Sequence, residues 1–430
     1  MERYSEYKDS GVQWLGMIPN HWELLHLRNF LTLFSEKGFP DSQLLSVTRE
    51  KGVILRDKEN KDENHNYVPE DLSGYKHLNV GDFVINKMKS WQGSYGVSDY
   101  EGIVSPAYFT CKLKGVLPSF FSMAIRSQAY IGFFMQYSKG IRVDQWDLDP
   151  NSLKDIPFVL PSKEEQNCIV NYLSNVTGKI DEAISQQQKM IDLLNERKQV
   201  IINQAVTKGL NPNVSMKDSG MDWIGQIPEH WEQLPLKYVF EIRNGYTPSK
   251  NDKSYWTNGT IPWYRMEDIR KSGRFLNESI QCVTHKVVNG KGLFKAGSYI
   301  MAICTASIGE HAMLIADSLA NQRFANFNIR KSLVEDFDPM FLFYFMYVVG
   351  DFCRNNSNST CFQYVDMEAL KRFPTLKPSK EEQKCIVAYL DKGLEKLNMA
   401  LEQTKKRIAL LQERKQIIIN EVVTGKVKVS

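Results

Sequence analysis

The chain of 430 residues contains seven histidines and seven cysteines, and their spacing matches no common catalytic or metal site. The cysteines form no Cys-x-x-Cys pair and are odd in number, which argues against a zinc site and against a disulfide framework. There is no His-x-x-x-His pair, and no histidine accompanies a recognisable serine or cysteine nucleophile pattern. We therefore expect no metal in this chain and a reducing, cytoplasmic location.

Motifs for nucleotide binding and methyl transfer are also missing. Neither Gly-x-x-x-x-Gly-Lys-Ser/Thr nor Gly-x-Gly-x-x-Gly occurs. The strings nearest to the Asp/Asn-Pro-Pro-aromatic pattern, at 338–341 and 261–264, are both incomplete. His21 and His230 lie beside Trp and Pro, and we interpret them as packing or hydrogen-bonding residues. Since every class of motif fails, the sequence indicates a chain without chemistry of its own.

An internal repeat determines the architecture. The segment Lys8 to Leu27 returns as Lys217 to Leu236, with Trp, Ile-Pro and His-Trp-Glu at matching positions. We call these two copies the tryptophan segments. A longer stretch, Pro161 to Gly209, returns as Pro378 to Lys426 and begins with Pro-Ser-Lys-Glu-Glu-Gln in both copies. The unit of a tryptophan segment, a middle region and a long polar stretch therefore occurs twice.

The two long stretches are predicted to be helices. Ser162 with Glu165, and Ser379 with Glu382, form Ser-x-x-Glu capping boxes behind a proline. Gly209 and Gly425 mark the ends of the helices. Apolar residues step by four and three between these limits, which is a heptad seam. Its apolar members are Leu173, Ile180, Ile184, Ile191, Leu194, Ile201, Leu390, Leu397, Leu401, Ile408, Leu411 and Ile418.

An apolar seam cannot stay exposed, and the obvious partner of each helix is its copy. We expect an antiparallel coiled coil with a pseudo-twofold axis and a domain at either end, about 65 Å long at about 1.5 Å per residue. Gln187 with Thr404, and Lys198 with Lys415, add polar groups to the seam. Gly178 and Gly393 could kink or break the helices.

The middle regions diverge in sequence but share enough pattern to indicate one fold with different surfaces. Asp82 to Asn86 and Ser298 to Cys304 are typical of strands, whereas Phe120 to Tyr137 and Met340 to Arg354 are typical of buried helices. The expected fold class is α+β, with two similar mixed α/β domains and the antiparallel two-helix coiled coil. The expected domains are 1–160 and 210–377, and the helices are 161–209 and 378–430.

The charge is close to balanced, with 54 basic and 50 acidic residues in the whole chain. Residues 1–160 carry 18 basic against 20 acidic residues, and residues 210–377 carry 19 against 17. Charge by itself therefore gives no support to a nucleic-acid partner. The N-terminus has no apolar signal region, and the longest apolar run, Met340 to Val349, is far short of a membrane span, so we expect no membrane partner.

The paired tryptophan segments, the paired Pro-Ser-Lys-Glu-Glu-Gln helices and the run from Asn244 to Trp263 resemble the specificity subunit of type I restriction-modification enzymes. The resemblance covers essentially the whole chain. It implies two target recognition domains, each reading one half of a split, asymmetric sequence in double-stranded DNA. The helices would then serve as a molecular ruler.

The resemblance also implies the partners. Two methyltransferase (modification) subunits that use S-adenosylmethionine would dock on the helices, and ATP- and magnesium-dependent restriction/translocase subunits would complete the complex. This chain itself would bind no cofactor and would be non-catalytic. The helix seam then sets distance, and its outer face is where the methyltransferase is expected to sit.

Reading bases requires polar side chains on loops that reach the edges of the major groove. Each candidate has the alternative of an ordinary solvated or capping role. The first domain offers Lys87, Lys89, Ser90, Trp91, Gln92, Arg142 and Gln145. The second domain offers Tyr246, Thr247, Ser249, Lys250, Tyr264, Arg265, Thr305, Ser307, Gln322, Arg323 and Gln363.

Two other functions remain open from the residues alone. One is a coiled-coil adaptor that joins proteins and never meets DNA. The other is a stand-alone nuclease or methyltransferase with an unrecognised site, which the missing motifs make the weaker alternative. Sequence-dependent retention of duplex DNA separates the first from the DNA-recognition subunit.

Overall fold

The computed structural model describes residues 2–57, 68–140, 146–221, 223–288, 290, 292–304, 307–358 and 364–429. Its contacts divide the chain into a first unit, Met1–Gln188 with Lys405–Ser430, and a second unit, Lys189–Thr404. Each unit contains one middle region, the beginning of one long helix and the end of the other. This division differs from a simple cut at the ends of the helices, because each middle region packs on parts of both helices.

The first unit is built from short antiparallel strands and from three short helices. The helices are α1 (Pro118–Ile125), α2 (Gln128–Tyr137) and α3 (Pro150–Asp155). The strands are β1 (Tyr7–Asp9), β2 (Met17–Pro19), β3 (Glu23–His26), β4 (Leu31–Phe34), β5 (Leu45–Thr48), β6 (Gly52–Leu55), β7 (Lys76–Leu78), β8 (Phe83–Ile85), β9 (Tyr95–Val97), β10 (Gly102–Val104), β11 (Phe109–Leu113) and β12 (Pro157–Leu160).

The long helices α4 (Lys163–Lys208) and α9 (Lys380–Val423) run through both units. The second unit adds α5 (Leu236–Val239), α6 (Met266–Ser272), α7 (Pro339–Asn355) and α8 (Met367–Arg372). Its strands are β13 (Met216–Asp218), β14 (Gln226–Pro228), β15 (Glu232–Pro235), β16 (Phe240–Asn244), β17 (Ile261–Tyr264), β18 (Phe275–Leu276), β19 (Cys282–Val283), β20 (Tyr299–Ala302), β21 (His311–Leu314), β22 (Leu319–Ala320), β23 (Phe324–Ile329), β24 (Ser357–Asn358), β25 (Tyr364–Val365) and β26 (Pro374–Lys377).

The main sheets of the two units have corresponding strand orders. The first unit has β4-β11-β8-β9, and the second has β16-β23-β20-β21 with β18 added at its edge. All neighbouring pairs are antiparallel except β18 with β21. The expectation of an α+β fold with two similar domains is therefore confirmed, and so are the strands expected around Asp82 to Asn86 and Ser298 to Cys304.

One expected helix is divided in two. Residues 120–137 form α1 and α2, which meet at Arg126 and Ser127. The Arg126 guanidinium donates to the main-chain carbonyls of Tyr95, Arg49 and Glu50, so this residue joins the helices to β9 and to the turn between β5 and β6. A periodicity argument cannot detect such a break, because α1 and α2 each keep their apolar face.

The long helices follow the sequence closely. Both begin at the capping serines, since the Glu165 and Glu382 amides donate to Ser162 Oγ and Ser379 Oγ at 3.2 and 3.3 Å. Both end beside a glycine with positive φ, 73° at Gly209 and 74° at Gly425. The helices are continuous through Gly178 and Gly393, so neither glycine breaks its helix.

The apolar seam residues are all at least half-buried. Those that are buried are Leu173, Ile180, Ile191, Leu390, Leu401 and Ile418, and those that are half-buried are Ile184, Leu194, Ile201, Leu397, Ile408 and Leu411. In the first unit, Ile180 and Leu173 of α4 join a core that also contains Ile418 and Val422 of α9, so the beginning of one helix lies against the end of the other. In the second unit, Ile202 and Ala205 at the end of α4 share a core with Leu390 and Leu394 near the beginning of α9. The packing is therefore antiparallel in both units, which confirms the expected coiled coil.

Polar contacts accompany the seam at matching points. Lys415 Nζ lies 2.7 Å from both carboxylate oxygens of Asp181 in the first unit. Lys198 Nζ lies 3.1 Å from Asn398 Oδ1 in the second unit. Asp181 and Asn398 are equivalent in the repeat, as are Lys415 and Lys198. The same lysine contact therefore occurs in both units, with a carboxylate as acceptor in the first unit and a neutral amide oxygen in the second. No helix among the described residues is long and apolar enough to cross a membrane.

Replacing the buried Leu390 by alanine should lower the free energy of unfolding by about 2–5 kcal/mol, since it removes a fully buried side chain from the core of the second unit. The matched control is Leu410→Ala on the same helix, where the side chain is 63% exposed, and this change should cost less than about 0.5 kcal/mol. Urea unfolding of the full chain measures both. Equal losses would contradict the packing described for α9.

Candidate nucleic-acid interface

Each tryptophan segment is clamped to the first turn of a long helix by its His-Trp pair. His21 Nε2 lies 3.0 Å from the Glu165 carboxylate, and Trp22 Nε1 donates to the same carboxylate at 3.3 Å. In the second unit, His230 Nε2 lies 2.9 Å from Glu382 Oε1, which also accepts from Trp231. The two histidines are thus hydrogen-bonding residues, in keeping with the interpretation of the sequence.

The glutamine of Pro-Ser-Lys-Glu-Glu-Gln forms a second clamp between helix and domain. Gln166 Nε2 donates to the Pro161 carbonyl, and its Oε1 accepts from the Leu117 amide at 2.8 Å, next to α1. Gln383 repeats both bonds in the second unit, with the Asp338 amide at 2.6 Å next to α7. Both glutamines are buried, so the repeated motif orients each domain on its helix.

Two loops of the second unit form one platform at the end of its sheet. The Tyr246 amide donates to the Ala320 carbonyl at 2.9 Å. A Cβ at Gly245 would lie 2.2 Å from the Asn321 carbonyl oxygen, so only glycine permits this approach. We call the loop 245–249 together with the turn 320–323 the reading platform.

Polar side chains cover the exposed edge of the reading platform. Gln322 and Arg323 are exposed at the tip of the turn, and the Thr247 hydroxyl donates to Gln322 Oε1. Asn321 Oδ1 accepts from the Arg323 amide at 2.9 Å and so fixes the turn. Sequence reasoning missed Asn321; its signal was an asparagine two residues before a turn amide, which is the pattern of an Asx turn.

Aromatic residues support the reading platform from behind. Trp263 is buried, and its Nε1 donates to the Tyr246 carbonyl at 3.1 Å. Trp256 Nε1 donates to the Ser249 carbonyl at 2.9 Å, and the Tyr246 hydroxyl donates to the Val287 carbonyl. These rings hold the loop in place.

The remaining candidates in the second unit occupy different environments. Ser249 and Lys250 are exposed beside the reading platform, and Arg265 is half-buried. Tyr264 is buried, with its hydroxyl donating to a main-chain carbonyl, and Ser307 is buried and accepts from the Arg270 guanidinium. We leave Tyr264 and Ser307 out of the proposed reading surface because neither faces solvent.

The polar loop of the first unit contains both paired and buried groups. Lys87 Nζ lies 3.0 Å from the Asp147 carboxylate, so part of its charge is neutralised. Ser90 is fully buried, and its hydroxyl lies 3.2 Å from that of Ser138. Ser90 therefore holds the loop, and we leave it out of the proposed reading surface as well.

Three other candidates of that loop are at least partly accessible to solvent. Lys89 is exposed, and Trp91 and Gln92 are half-buried. The Trp91 ring packs against Trp146, with the ring centroids 5.5 Å apart. The candidates Arg142, Gln145, Thr305 and Gln363 lie outside the described residues.

A second surface is repeated on the outer faces of the two long helices. Leu193 and Val200 of α4 are 60% and 46% exposed, and their equivalents in α9, Leu410 and Ile417, are 63% and 49% exposed. Each pair is seven residues apart and so lies on one face of its helix. We call these four residues the outer stripe. Large apolar side chains are thus exposed at the same positions of both repeats.

The pKa values of Glu382 and His311 are both lowered, for different physical reasons. Burial of the Glu382 carboxyl opposes ionisation, but hydrogen bonds from His230, the Ser379 amide and Trp231 outweigh it and hold the pKa of Glu382 below its usual value. Burial lowers the pKa of His311 to about 4. His311 is therefore neutral at pH 7. Among the described residues, no group of three His, Cys, Asp or Glu side chains is placed to hold a metal ion.

Comparison with known proteins gives a consistent family. A family model described as the type I restriction modification DNA specificity domain matches residues 228–412. The chain is similar to the Escherichia coli type I restriction enzyme EcoprrI specificity subunit, with 42% identity over 168 residues that cover 37% of this chain and 42% of that protein.

The similarity extends over nearly the whole chain in two other cases. The putative type I restriction enzyme MjaX specificity subunit of Methanocaldococcus jannaschii is 25% identical, with 96% of each protein covered. A chain solved in work on complex assembly and conformational transition of the type I R-M system has a TM-score of 0.64 at 16% identity, covering 95% of this chain and 99% of that one. The latter shows a shared fold.

Acidification should destabilise the protein through His311. Its pKa is lower in the folded chain than its ordinary value of about 6.5, so the unfolded chain takes up the proton first. This contribution to stability is complete above about pH 6.5 and falls by up to about 3 kcal/mol as the pH approaches about 4. Thermal unfolding of the full chain between about pH 7 and pH 4.5 measures the slope.

The slope should decrease in His311→Asn and stay unchanged in the control His26→Gln, where the side chain is exposed. An identical slope in the parent chain and in His311→Asn would show that other groups cause the acid sensitivity.

Proposed function

Because this chain belongs to the family of type I restriction enzyme specificity subunits, we propose that it reads a bipartite, asymmetric sequence in double-stranded DNA, with one domain for each half-site. The observation that supports this proposal is that the two units share their sheets and clamps but differ in the residues of their loops. Both units keep the same sheet order, the same His-Trp-Glu clamp and the same glutamine clamp. The platform of Thr247, Gln322 and Arg323 has no counterpart of the same residues in the first unit.

The proposed reading surface consists of the exposed and half-buried candidates. Specific contacts need side chains that donate or accept at base edges, and amides, hydroxyls and guanidinium groups provide them. In the first unit these residues are Lys87, Lys89, Trp91 and Gln92, and in the second unit they are Thr247, Ser249, Lys250, Arg265, Gln322 and Arg323. Tyr246 is left out because its hydroxyl donates to the Val287 carbonyl and its ring holds the loop.

We further propose that the chain acts without chemistry of its own, in the cytoplasm, and directs two modification subunits. The adenine methylation would use S-adenosylmethionine bound by those subunits, and ATP with magnesium would serve the restriction/translocase subunits. The coiled coil would set the gap between the half-sites. The comparisons do not support the alternative of a coiled-coil adaptor that never meets DNA.

The outer stripe is the proposed seat of the modification subunits. It occurs once on each helix, at the first and last positions of the similar strings LLNERKQV at 193–200 and LLQERKQI at 410–417. A surface that is duplicated while the loops diverge fits a partner present in two identical copies. Burial of exposed leucine side chains would stabilise such an interface by roughly 25 cal/mol per Å² of apolar surface.

Coexpression of the chain with its cognate modification subunit should produce adenine methylation at one split motif in the host genome. The reason is that each domain reads its own half-site while the bases between them are not contacted. Methylome sequencing measures the motif directly. Cells that express the modification subunit alone are the control, and a map with no split motif in the coexpressing cells would contradict the proposed function.

Placing a charge in the outer stripe should remove one modification subunit for each site changed. We expect Leu193→Asp or Leu410→Asp to leave complexes with one copy, and the double variant to leave none, because an aspartate cannot be buried at an apolar contact without a partner. Light scattering of the purified complex gives the stoichiometry.

The matched control is Val334→Asp, which changes an apolar side chain that is 45% exposed outside the helices. It should keep both copies. A double variant that still bound two modification subunits would rule out the outer stripe as their seat.

A further inference from the structure

We propose that Gln322 is a specificity-determining residue that reads one adenine of the half-site recognised by the second unit, and that Thr247 positions its amide. This inference rests on the proposed function and refines it to one side chain and one base. It follows from the way the reading platform fixes Gln322 on both sides and leaves its amide exposed.

The main chain around Gln322 is held to its neighbours. Before it, the Asn321 amide donates to the Tyr264 carbonyl at 3.2 Å. After it, the Ile303 amide donates to the Arg323 carbonyl at 2.9 Å, and Asn321 Oδ1 accepts from the Arg323 amide. Gln322 therefore stands on a turn tied to two neighbouring segments, and the cost of ordering it is already met before DNA binds.

The side chain of Gln322 is also oriented. Its Oε1 accepts from the Thr247 hydroxyl, which comes from the other loop of the reading platform. That loop cannot move away independently, since Tyr246 is bonded to Ala320 and Gly245 lies directly against the Asn321 carbonyl. The bond orients the amide with its oxygen toward Thr247.

The oriented Gln322 amide presents a defined pattern of hydrogen-bond donors and acceptors. The oxygen keeps a second lone pair and the nitrogen keeps two hydrogens, so the group can accept from adenine N6 and donate to adenine N7 at once. A guanine presents two acceptors at those positions and a thymine presents one acceptor and a methyl group, so neither matches a single amide in both directions. Adenine is therefore the base that Gln322 should select.

The test is the methylome of cells that coexpress the chain with its modification subunit. Gln322→Ala should leave the split motif recognisable but reduce the preference for adenine at one position of one half-site by about 5- to 150-fold. Gln322→Glu should shift that position toward cytosine, because a carboxylate accepts from cytosine N4. The other half-site should not change in either variant.

The role of Thr247 is tested by the base preference at the same position of the motif, and not only by the rate of methylation. Thr247→Val keeps the shape and removes the hydroxyl, so it should relax the same position as Gln322→Ala. Thr247→Ser keeps the donor and should preserve the parent motif. Gln226→Ala, an exposed glutamine of the tryptophan segment, is the matched control and should also preserve the motif.

Unchanged motifs in Gln322→Ala and Gln322→Glu would overturn the inference. Relaxation at several positions, or complete loss of methylation by Gln322→Ala while Gln226→Ala methylates normally, would overturn it too, because a residue that reads one base must leave the other positions readable. A parent chain that produces no split motif would instead contradict the proposed function, so the two failures are distinguishable.

Discussion

The structure depends on one constraint, which is that the apolar seams of α4 and α9 must be removed from water. Neither helix can bury its seam alone, because a single helix exposes all of its faces. Antiparallel pairing in each unit places Leu173 and Ile180 in one core with Ile418, and Ile202 in one core with Leu390. Since the domains pack on the same helices, the cores of the domains and the seam are continuous within each unit.

The clamps turn this packing into a defined orientation of each domain. A carboxylate at the helix start, Glu165 or Glu382, accepts from a histidine and a tryptophan of the tryptophan segment, and the next residue, a buried glutamine, binds the domain's own helix start. A buried amide is costly unless it is fully bonded, so the two glutamines tolerate few arrangements. This explains why the repeated residues are polar and not simply apolar.

The divergent loops are free to vary because the frame does not need them. The seam and the clamps hold each sheet, whereas the reading platform is stabilised locally, by Gly245 against Asn321 and by Trp263 behind Tyr246. A change at Gln322 or Arg323 therefore affects neither core. Such a division lets recognition change while the stability of the units is kept.

The sequence by itself determined the repeat, the capped starts of both long helices, the heptad seam and the polar character of the loops, because these are periodic or local properties. It also carried the resemblance to the family. The tertiary structure decided that helix 120–137 is broken at Arg126, that Ser90, Tyr264 and Ser307 are buried, and that Thr247 meets Gln322. These are contacts between residues distant in the chain, and no local pattern records which polar side chain will face solvent once the strands have paired.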